Sequence, residues 1–273
     1  MNKKIILTAC NQLYYDSCLT LIASIHRTSL NIVDIIYIYN LGLNKESINN
    51  LNKLEKVEVK FFEDLKEKYP KIDINDYYYN PKQHLYKGVL VESTYVNDRD
   101  LILWLDCGTM LLKPATEIYD LIEKDDIFIV SDTHKNFSWT HQECIDIMKP
   151  SDDELKDNQI CSGIFGYKRN GKYQKLINDA LEFHYIKECV HGHHDYNYGK
   201  NRIDNTNICG HRHDQSVYSI LVSRYICPTQ DLFKFGEYRT INYCNNDTVI
   251  FVHRRRYTDH KGIIYKENAT NKI

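Results

Sequence analysis

Short apolar runs alternate with segments of helical periodicity along this 273-residue chain. Lys3 to Ala9 is an apolar, β-rich run, and Tyr15 to Arg27 then repeats its apolar residues at helical spacing. The same alternation returns with Asp34 to Tyr39 and Lys45 to Leu54. Strands of a parallel sheet are buried on both faces, so they read as unbroken apolar runs. The alternation therefore predicts an α/β fold, with a mainly parallel sheet flanked by helices.

The remaining apolar and amphipathic segments extend this pattern and indicate one domain. We predict further strands at Val57 to Phe62, Asp100 to Leu105, Asp126 to Ser131, Ile160 to Tyr167 and Thr248 to Val252, and helices at about Gln83 to Tyr95, Tyr173 to Phe183 and Gln215 to Ser223. With no internal repeat or low-complexity linker, residues 1–273 are predicted to form a single domain. The His- and Asn-rich segment at about 184–213 lacks periodicity, which predicts a loop or insertion near the site.

Charge and cysteine usage narrow the function classes. The formal net charge is −2, so no strong overall field draws the protein to nucleic acid or to an anionic membrane. The apolar runs are too short for a membrane span or for the apolar region of a signal peptide. Nine cysteines without a CxxC pair are typical of free thiols in a reducing compartment. We therefore expect a cytoplasmic protein that holds any anionic ligand through local groups.

The sharpest site signal is the end of the apolar run Asp100 to Leu105, where the sequence changes abruptly to Asp106, Cys107 and Gly108. In open parallel sheets, ligands bind in the crevice outside the carboxyl ends of the strands. An acidic residue there can bind ribose hydroxyls, or a divalent cation that offsets the charge of a diphosphate. A strand-ending aspartate that only caps the next turn is an equally good interpretation of this segment alone.

Several motifs, taken in order, resemble one enzyme family. The segment ILWLDCGTMLLKP resembles the LDADT-type segment of GT-A glycosyltransferases, especially the glycogenin-like family 8 enzymes. Matching segments are Ile6 to Asn11 for the first strand and nucleotide-binding turn, Tyr14 to Thr28 for the next helix, Tyr86 and Lys87 for an aromatic-Lys pair, Cys161 to Phe165 for the NSG strand, and His213 to Gln215 for the DQ segment. The match spans roughly residues 3 to 256, and the order and spacing of the motifs carry it.

The resemblance implies a GT-A fold and transfer of a glycosyl group from a nucleoside-diphosphate sugar, with a UDP-sugar favoured, to a hydroxyl acceptor on a carbohydrate, protein or small molecule. By the same resemblance, Asp214 and Gln215 are the catalytic residues that approach the anomeric side of the sugar, and retention is expected. An inverting enzyme that uses Asp214 as its general base stays open. The implied donor-binding residues are Thr8, Ala9, Cys10, Asn11, Lys87, Asp106, Gly108, Ser162, Gly163, His253, Arg254 and Lys261.

One position departs from the family pattern. The family motif ends in a second aspartate that coordinates a metal, and Gly108 has no side chain to do so. In one interpretation, Asp106 and His253 are the metal ligands and hold Mn²⁺ or Mg²⁺ together with phosphate oxygens. In the other, the basic run from His253 to Arg256, with Lys261, offsets the phosphate charge itself. A solvated basic turn is the competing interpretation of that run.

Two further function classes remain open at this stage. A zinc-dependent hydrolase would use the Cys/His-rich segment, with Glu188 or Asp195 as its base. The candidate zinc ligands are Cys189, His191, His193, His194, Cys209, His211 and His213, although their spacing lacks a paired pattern. A degenerate transferase fold that only binds a nucleotide-sugar would follow from Gly108. Asp132, just past a predicted strand, is a candidate contact for a sugar, or else a loop cap.

Overall fold

The computed structural model describes residues 2–65, 67–71, 85–92, 96–192 and 197–267. A six-stranded sheet lies at its centre, with the strand order β3-β2-β1-β4-β7-β6. These strands are β1 Lys4–Cys10, β2 Ile35–Asn40, β3 Val57–Phe61, β4 Leu101–Leu105, β6 Ile127–Lys135 and β7 Asn158–Lys168. A second sheet pairs β5 Thr109–Leu111 with β8 Ile250–Val252 in antiparallel fashion.

The central sheet is mainly parallel, as predicted. Strands β1, β2, β3 and β4 pair in parallel, whereas β7 runs antiparallel to both β4 and β6. The direction of β7 was not predictable, because a strand that is buried on both faces gives the same apolar run in either direction. The parallel strands place their carboxyl ends on one edge of the sheet, where β1 ends at Cys10 and β4 ends at Leu105.

Helices cover both faces of the sheet. They are α1 Tyr15–Ser29, α2 Lys45–Asn52, α3 Tyr86–Val91, α4 Thr116–Asp125, α5 Gln142–Met148, α6 Asp152–Lys156, α7 Gln174–His184, α8 Lys187–Val190, α9 Asp214–Arg224 and α10 Leu232–Phe235. The sequence did not predict helices α4, α5, α6, α8 and α10 or the short strand β5. The predicted helix from Gln83 to Tyr95 is observed only as α3, and its predicted ends at 83–84 and 93–95 lie outside the described residues. The segment 184–213 contains α8 but is otherwise irregular where it is described.

Strand β4 separates two apolar cores. Trp104 packs into the cluster on one face of the sheet, while Leu103 and Leu105 pack into the cluster on the other. All five residues of β4 are buried, and the first charged side chain follows directly after the strand, at Asp106.

No helix in the described parts of the chain has the length and apolar character needed to cross a bilayer. All nine cysteines are unpaired thiols.

Helix α3 packs closely against α7, and Gly88 makes this contact possible. A Cβ added at Gly88 would lie 2.6 Å from Cγ of His184, which is fully buried. In a helix with free space, Ala is more stable than Gly by about 1 kcal/mol. Here we expect the opposite sign: overpacking should make Gly88→Ala lower the free energy of unfolding by about 1–3 kcal/mol, measured by urea denaturation.

A double variant tests the cause of that loss. A Cβ at Gly88 would also lie 2.7 Å from Cβ of His184, so His184→Gly, which removes both this Cβ and the imidazole, is the suitable background, and Gly88→Ala should cost less there than it does alone. Equal costs in the two backgrounds would show that the contact with His184 is not the reason.

Candidate functional site

A cavity of about 480 Å³ opens at the carboxyl ends of β1 and β4. Its lining combines apolar and aromatic side chains with a small number of polar groups, as is common for sites of small ligands. The lining residues are Ala9, Asn11, Tyr14, Leu41, Tyr86, Trp104, Asp106, Cys107, Gly108, Thr109, Trp139, Cys161, Ser162, Gly163, Ile164, Arg212, His213, Asp214, Gln215, Val252 and Arg254.

The turn after β4 aims the carboxylate of Asp106 into this cavity. The backbone of Asp106 is fixed, because its N–H donates to the carbonyl of Gly163 at 2.8 Å and its carbonyl accepts from the N–H of Thr109 at 3.0 Å. Its side chain is 51% exposed, although every residue of the preceding strand is buried. Nε1 of Trp104 donates to Oδ1 of Asp106 at 2.7 Å. The backbone thus closes the turn, and the carboxylate faces the cavity.

Lys87 forms ion pairs with two residues that line the cavity, Asp106 and Asp214. Its Nζ lies 3.2 Å from Oδ1 of Asp106 and 2.8 Å from Oδ2 of Asp214, and its side chain is only 3% exposed. Burial by itself would lower the pKa of Lys87, but the negative charges of Asp106 and Asp214 outweigh burial and raise the pKa. The ammonium group therefore stays charged and holds the two carboxylates in fixed positions.

Aspartate is a preferred helix cap, so its position before the predicted helix at Gln215 favours Asp214 as the cap of α9, but this prediction is wrong. The N-cap of α9 is His213, with φ 54° and no capping side-chain hydrogen bond, and Asp214 is the first residue of the helix. Oδ2 of Asp214 instead pairs with the ammonium group of Lys87. Gln215 lies in the first turn of α9, as predicted.

A polar network orients Gln215 in the opposite wall. Its Nε2 donates to Oδ2 of Asp132 at 3.3 Å and to Oε1 of Gln159 at 3.1 Å. Nη1 of Arg212 also donates to Oδ2 of Asp132, at 2.8 Å. Burial would raise the pKa of Asp132, but the hydrogen bond with His134 and the charge of Arg212 outweigh burial and lower it. Asp132 is therefore an ionised anchor for the Gln215 amide, behind the cavity surface.

Trp139 and Arg212 are lining residues that the sequence analysis missed. The guanidinium carbon of Arg212 lies 4.1 Å from the centre of the Trp139 ring, within the range of a cation–π contact. Trp139 stands in the irregular segment after β6, where no periodicity marks it. The only sequence signal for Arg212 was its position two residues before Asp214.

Some predicted donor-binding residues do not line the cavity. Thr8, Cys10, Lys87 and His253 are buried, and Lys261 is exposed but does not line the cavity. Burial lowers the pKa of His253 to about 4, so its ring is neutral near pH 7. Neither ring nitrogen of His253 has a hydrogen-bond partner among the described residues. The backbone carbonyl of Lys261 accepts a hydrogen bond from Nη1 of Arg27.

The Cys/His-rich segment does not form a zinc site in the described residues. Nε2 of His211 lies 3.0 Å from the carbonyl oxygen of Cys189, and Nδ1 of His213 lies 2.9 Å from that of Val190. No group of three or more His, Cys, Asp or Glu side chains in the described ranges could hold a metal ion. His193, His194 and Asp195 lie outside the described residues. The hydrolase alternative is therefore not favoured.

The sheet order, the acidic turn after β4 and the cavity beside it define a class: the chain has the GT-A fold of glycosyltransferases, as the sequence motifs implied. No protein-family model and no curated protein sequence matches this chain. The class therefore rests on the fold and on solved structures that share it.

Three solved structures illustrate this similarity. The bifunctional glycosyltransferase WbbM is 11% identical with a TM-score of 0.58, over 92% of this chain and 45% of WbbM, so this chain spans less than half of that protein. Mouse xyloside xylosyltransferase 1 is 11% identical with a TM-score of 0.56, over 94% of this chain and 99% of the enzyme. The galactosyltransferase LgtC, solved with donor and acceptor sugar analogs, is 11% identical with a TM-score of 0.51, over 91% of this chain and 86% of LgtC. At these identities the similarity establishes the fold.

Proposed function

We propose that this protein is a glycosyltransferase that moves a sugar from a nucleoside-diphosphate sugar, with a UDP-sugar favoured, to a hydroxyl acceptor. The observation that carries the proposal is the carboxylate of Asp106, which faces the cavity and is tied through Lys87 to Asp214 in the opposite wall. In open α/β sheets, such a crevice at the carboxyl ends of the strands is where nucleotides bind. The GT-A fold supports the same conclusion.

The lining residues can be assigned to the base and the ribose of the donor. Ala9 and Asn11, at the end of β1, would contact the base and ribose, where Tyr14 and Leu41 add apolar surface. The half-exposed carboxylate of Asp106 would accept hydrogen bonds from the ribose hydroxyls.

The sugar would lie beside Ser162 and Gly163 of β7, since these small residues line the cavity next to Asp106. This position leaves it facing Gln215 across the cavity. The acceptor would enter from the side of Trp139, whose aromatic ring offers an apolar face to a sugar.

The arrangement supports transfer with retention. Gln215 is a neutral amide held by Asp132 and Gln159, which suits it to orient and stabilise a developing positive charge on the sugar ring. Asp214 is 6% exposed and is bound to Lys87, so it is poorly placed to take a proton from an acceptor. The leaving diphosphate would then assist the incoming hydroxyl on the same face of the sugar.

A ligand screen followed by product analysis tests the proposal. A nucleotide that binds the folded state raises the apparent melting temperature, so UDP, GDP and their sugars should be compared by thermal shift, with Mn²⁺ and with EDTA. We expect UDP and UDP-sugars to give the larger shifts. Release of UDP from a UDP-sugar, with retained anomeric configuration by NMR, would establish transfer or hydrolysis. Binding without any turnover would identify the degenerate binding protein, and no shift with any nucleotide would refute the proposal.

Two glycines of β7 give a matched test of the donor site. A Cβ at Gly163 would lie 2.8 Å from Oδ2 of Asp106, whereas a Cβ at Gly166 would lie 2.6 Å from Cδ1 of Ile122 in the core. We expect Gly163→Ala to displace the Asp106 carboxylate and weaken UDP binding about tenfold, since one distorted charged hydrogen bond is worth about 1.5 kcal/mol. Isothermal titration measures the affinity.

Gly166→Ala serves as the control, because it should destabilise the fold without touching the cavity lining. If both variants weaken UDP binding equally, the effect comes from the strand and not from Asp106.

A further inference from the structure

The GT-A fold family implies a divalent cation at the diphosphate, but the residues of this cavity do not fit one. A Mg²⁺ ion at a substrate diphosphate is usually held by one or two carboxylates together with phosphate oxygens, and here the lining carboxylates of Asp106 and Asp214 are both paired with the ammonium group of Lys87. Oδ1 of Asp106 already accepts from Lys87 and Trp104. His253, the second ligand proposed from the sequence, is fully buried and does not line the cavity.

The backbone of Arg254 lies beside the position where a side chain at residue 108 would begin. The carbonyl oxygen of Gly108 accepts from the N–H of His253 at 2.8 Å and from the N–H of Arg254 at 3.0 Å. A Cβ on Gly108 would lie 3.4 Å from Cα of Arg254. The backbone of Arg254 is thus fixed against the loop that carries Asp106, and Arg254 itself lines the cavity.

The backbone is strained at this point. Arg254 has φ 47° and Arg255 has φ 65°, both in the left-handed region. For residues other than glycine this conformation costs roughly 1–2 kcal/mol each. Such strain is found most often at functional sites, where the surrounding structure enforces it. Here its result is that one arginine of the run lines the cavity while its neighbours turn elsewhere.

The neighbouring arginines have other contacts. The guanidinium of Arg255 lies over the ring of Tyr14, 4.9 Å from its centre, and Nη2 of Arg256 donates to the carbonyl of Tyr238 at 2.8 Å. Neither is among the residues that line the cavity. Among the three arginines, Arg254 is the one that lines the cavity, and its guanidinium also lies 5.9 Å from the centre of the Tyr238 ring.

The charged residues at the cavity determine whether its wall attracts or repels a diphosphate. Asp106 and Asp214 carry two negative charges against the single ammonium of Lys87, and Arg212 is paired with Asp132. Without Arg254, the donor's diphosphate would approach a wall with a net negative charge, which would repel it. The guanidinium of Arg254 balances that wall, and its planar fork of N–H donors matches phosphate oxygens.

We propose that Arg254 takes the place of the metal ion, so that the protein binds the diphosphate of its donor without a divalent cation. This inference rests on the proposed function, because it concerns the same cavity. It predicts that UDP binds equally well in Mn²⁺ and in excess EDTA, within about twofold.

Two glycine substitutions test the role of Arg254. Glycine adopts positive φ without strain, so Arg254→Gly and Arg99→Gly each remove one exposed arginine from a left-handed position and should both keep the fold. By isothermal titration in EDTA, Arg254→Gly should weaken UDP binding about 10- to 100-fold, as expected for a charge-assisted hydrogen bond. Arg99 does not line the cavity, so Arg99→Gly, with the same change in net charge, should stay within about twofold. Arg254→Lys should lie between wild type and Arg254→Gly.

The outcomes separate this inference from the proposed function. Wild-type protein that binds UDP only when Mn²⁺ is present would overturn the inference and leave the transferase proposal intact. Equal losses for Arg254→Gly and Arg99→Gly would also overturn it, because a general loss of positive charge would then explain both. Wild-type protein that binds no nucleotide in either condition would refute the inference and the proposed function together.

Discussion

Replacing Lys87 with methionine is expected to lower the free energy of unfolding by roughly 3–5 kcal/mol, the range found when one member of a buried ion pair is removed. The side chains of Lys87 and Asp214 are 3% and 6% exposed, so the substitution leaves a buried carboxylate without its counter-ion. Methionine keeps much of the length and apolar stem of lysine. Urea denaturation followed by circular dichroism measures the loss.

A second substitution identifies the cause. Asp214→Asn in the Lys87→Met background removes the unpaired charge, so the double variant should regain a large part of the lost stability. Lys124→Met is the surface control, since that lysine side chain is 77% exposed and its substitution should change stability by less than about 0.5 kcal/mol. A double variant that is less stable than Lys87→Met would show that packing, and not the charge balance, sets the cost.

Replacing Asp106 with asparagine is expected to reduce the kcat/KM of donor turnover by about 10²- to 10³-fold. Losses of this size follow the removal of one well-placed electrostatic group from a reaction site. Asparagine has nearly the same shape and keeps an oxygen that can accept from Nε1 of Trp104, but it lacks the negative charge that Lys87 and the ribose would contact. Steady-state release of UDP from a UDP-sugar measures the effect.

The same variant should remain folded. Because the side chain of Asp106 is 51% exposed, its charge is screened by water, and the unfolding free energy should change by less than about 1 kcal/mol. Asp247→Asn is a suitable control, since this exposed aspartate does not line the cavity. Turnover by Asp106→Asn at the wild-type rate would remove the central support for the proposed function.

Together, the two substitutions separate stability from function within one group of charges. Lys87 is buried and links two cavity walls, so its loss should unfold the protein more readily. Asp106 is connected to the same ammonium but faces the cavity, so its loss should mainly affect the ligand. The exposed fraction of each side chain, rather than its charge, decides which property is lost.

The fold class could be predicted from the sequence because a strand that is buried on both faces appears as an unbroken apolar run. The run Leu101–Leu105 reads as a central strand, and the change at Asp106 marks its carboxyl end. Helices α1 and α7 were predicted because their apolar residues recur at helical spacing. No pattern in the sequence indicates that β7 runs antiparallel to β4, since the direction of a strand depends on how the chain returns to the sheet.

The candidate site was predictable only in part. Asp106, Gly163, Asp214 and Gln215 lie in motifs, and the structure brings all four to one cavity. Whether a particular residue of a motif lines that cavity was not predictable. Arg254 does and the buried His253 does not, although both follow the same strand, because the backbone turns into the left-handed region at Arg254. Trp139 and Arg212 reach the cavity from segments without any local pattern.

The sequence by itself determined the six strands of the central sheet, the longer helices α1, α7 and α9 and the position of the acidic turn, because burial and chain composition are local properties. Only the tertiary structure decided that Lys87, Asp106 and Asp214 meet as one group of charges. Their separations of 3.2 and 2.8 Å join a helix, a strand end and a second helix that are far apart in sequence. Contacts of that kind depend on how whole elements pack, which no single segment encodes.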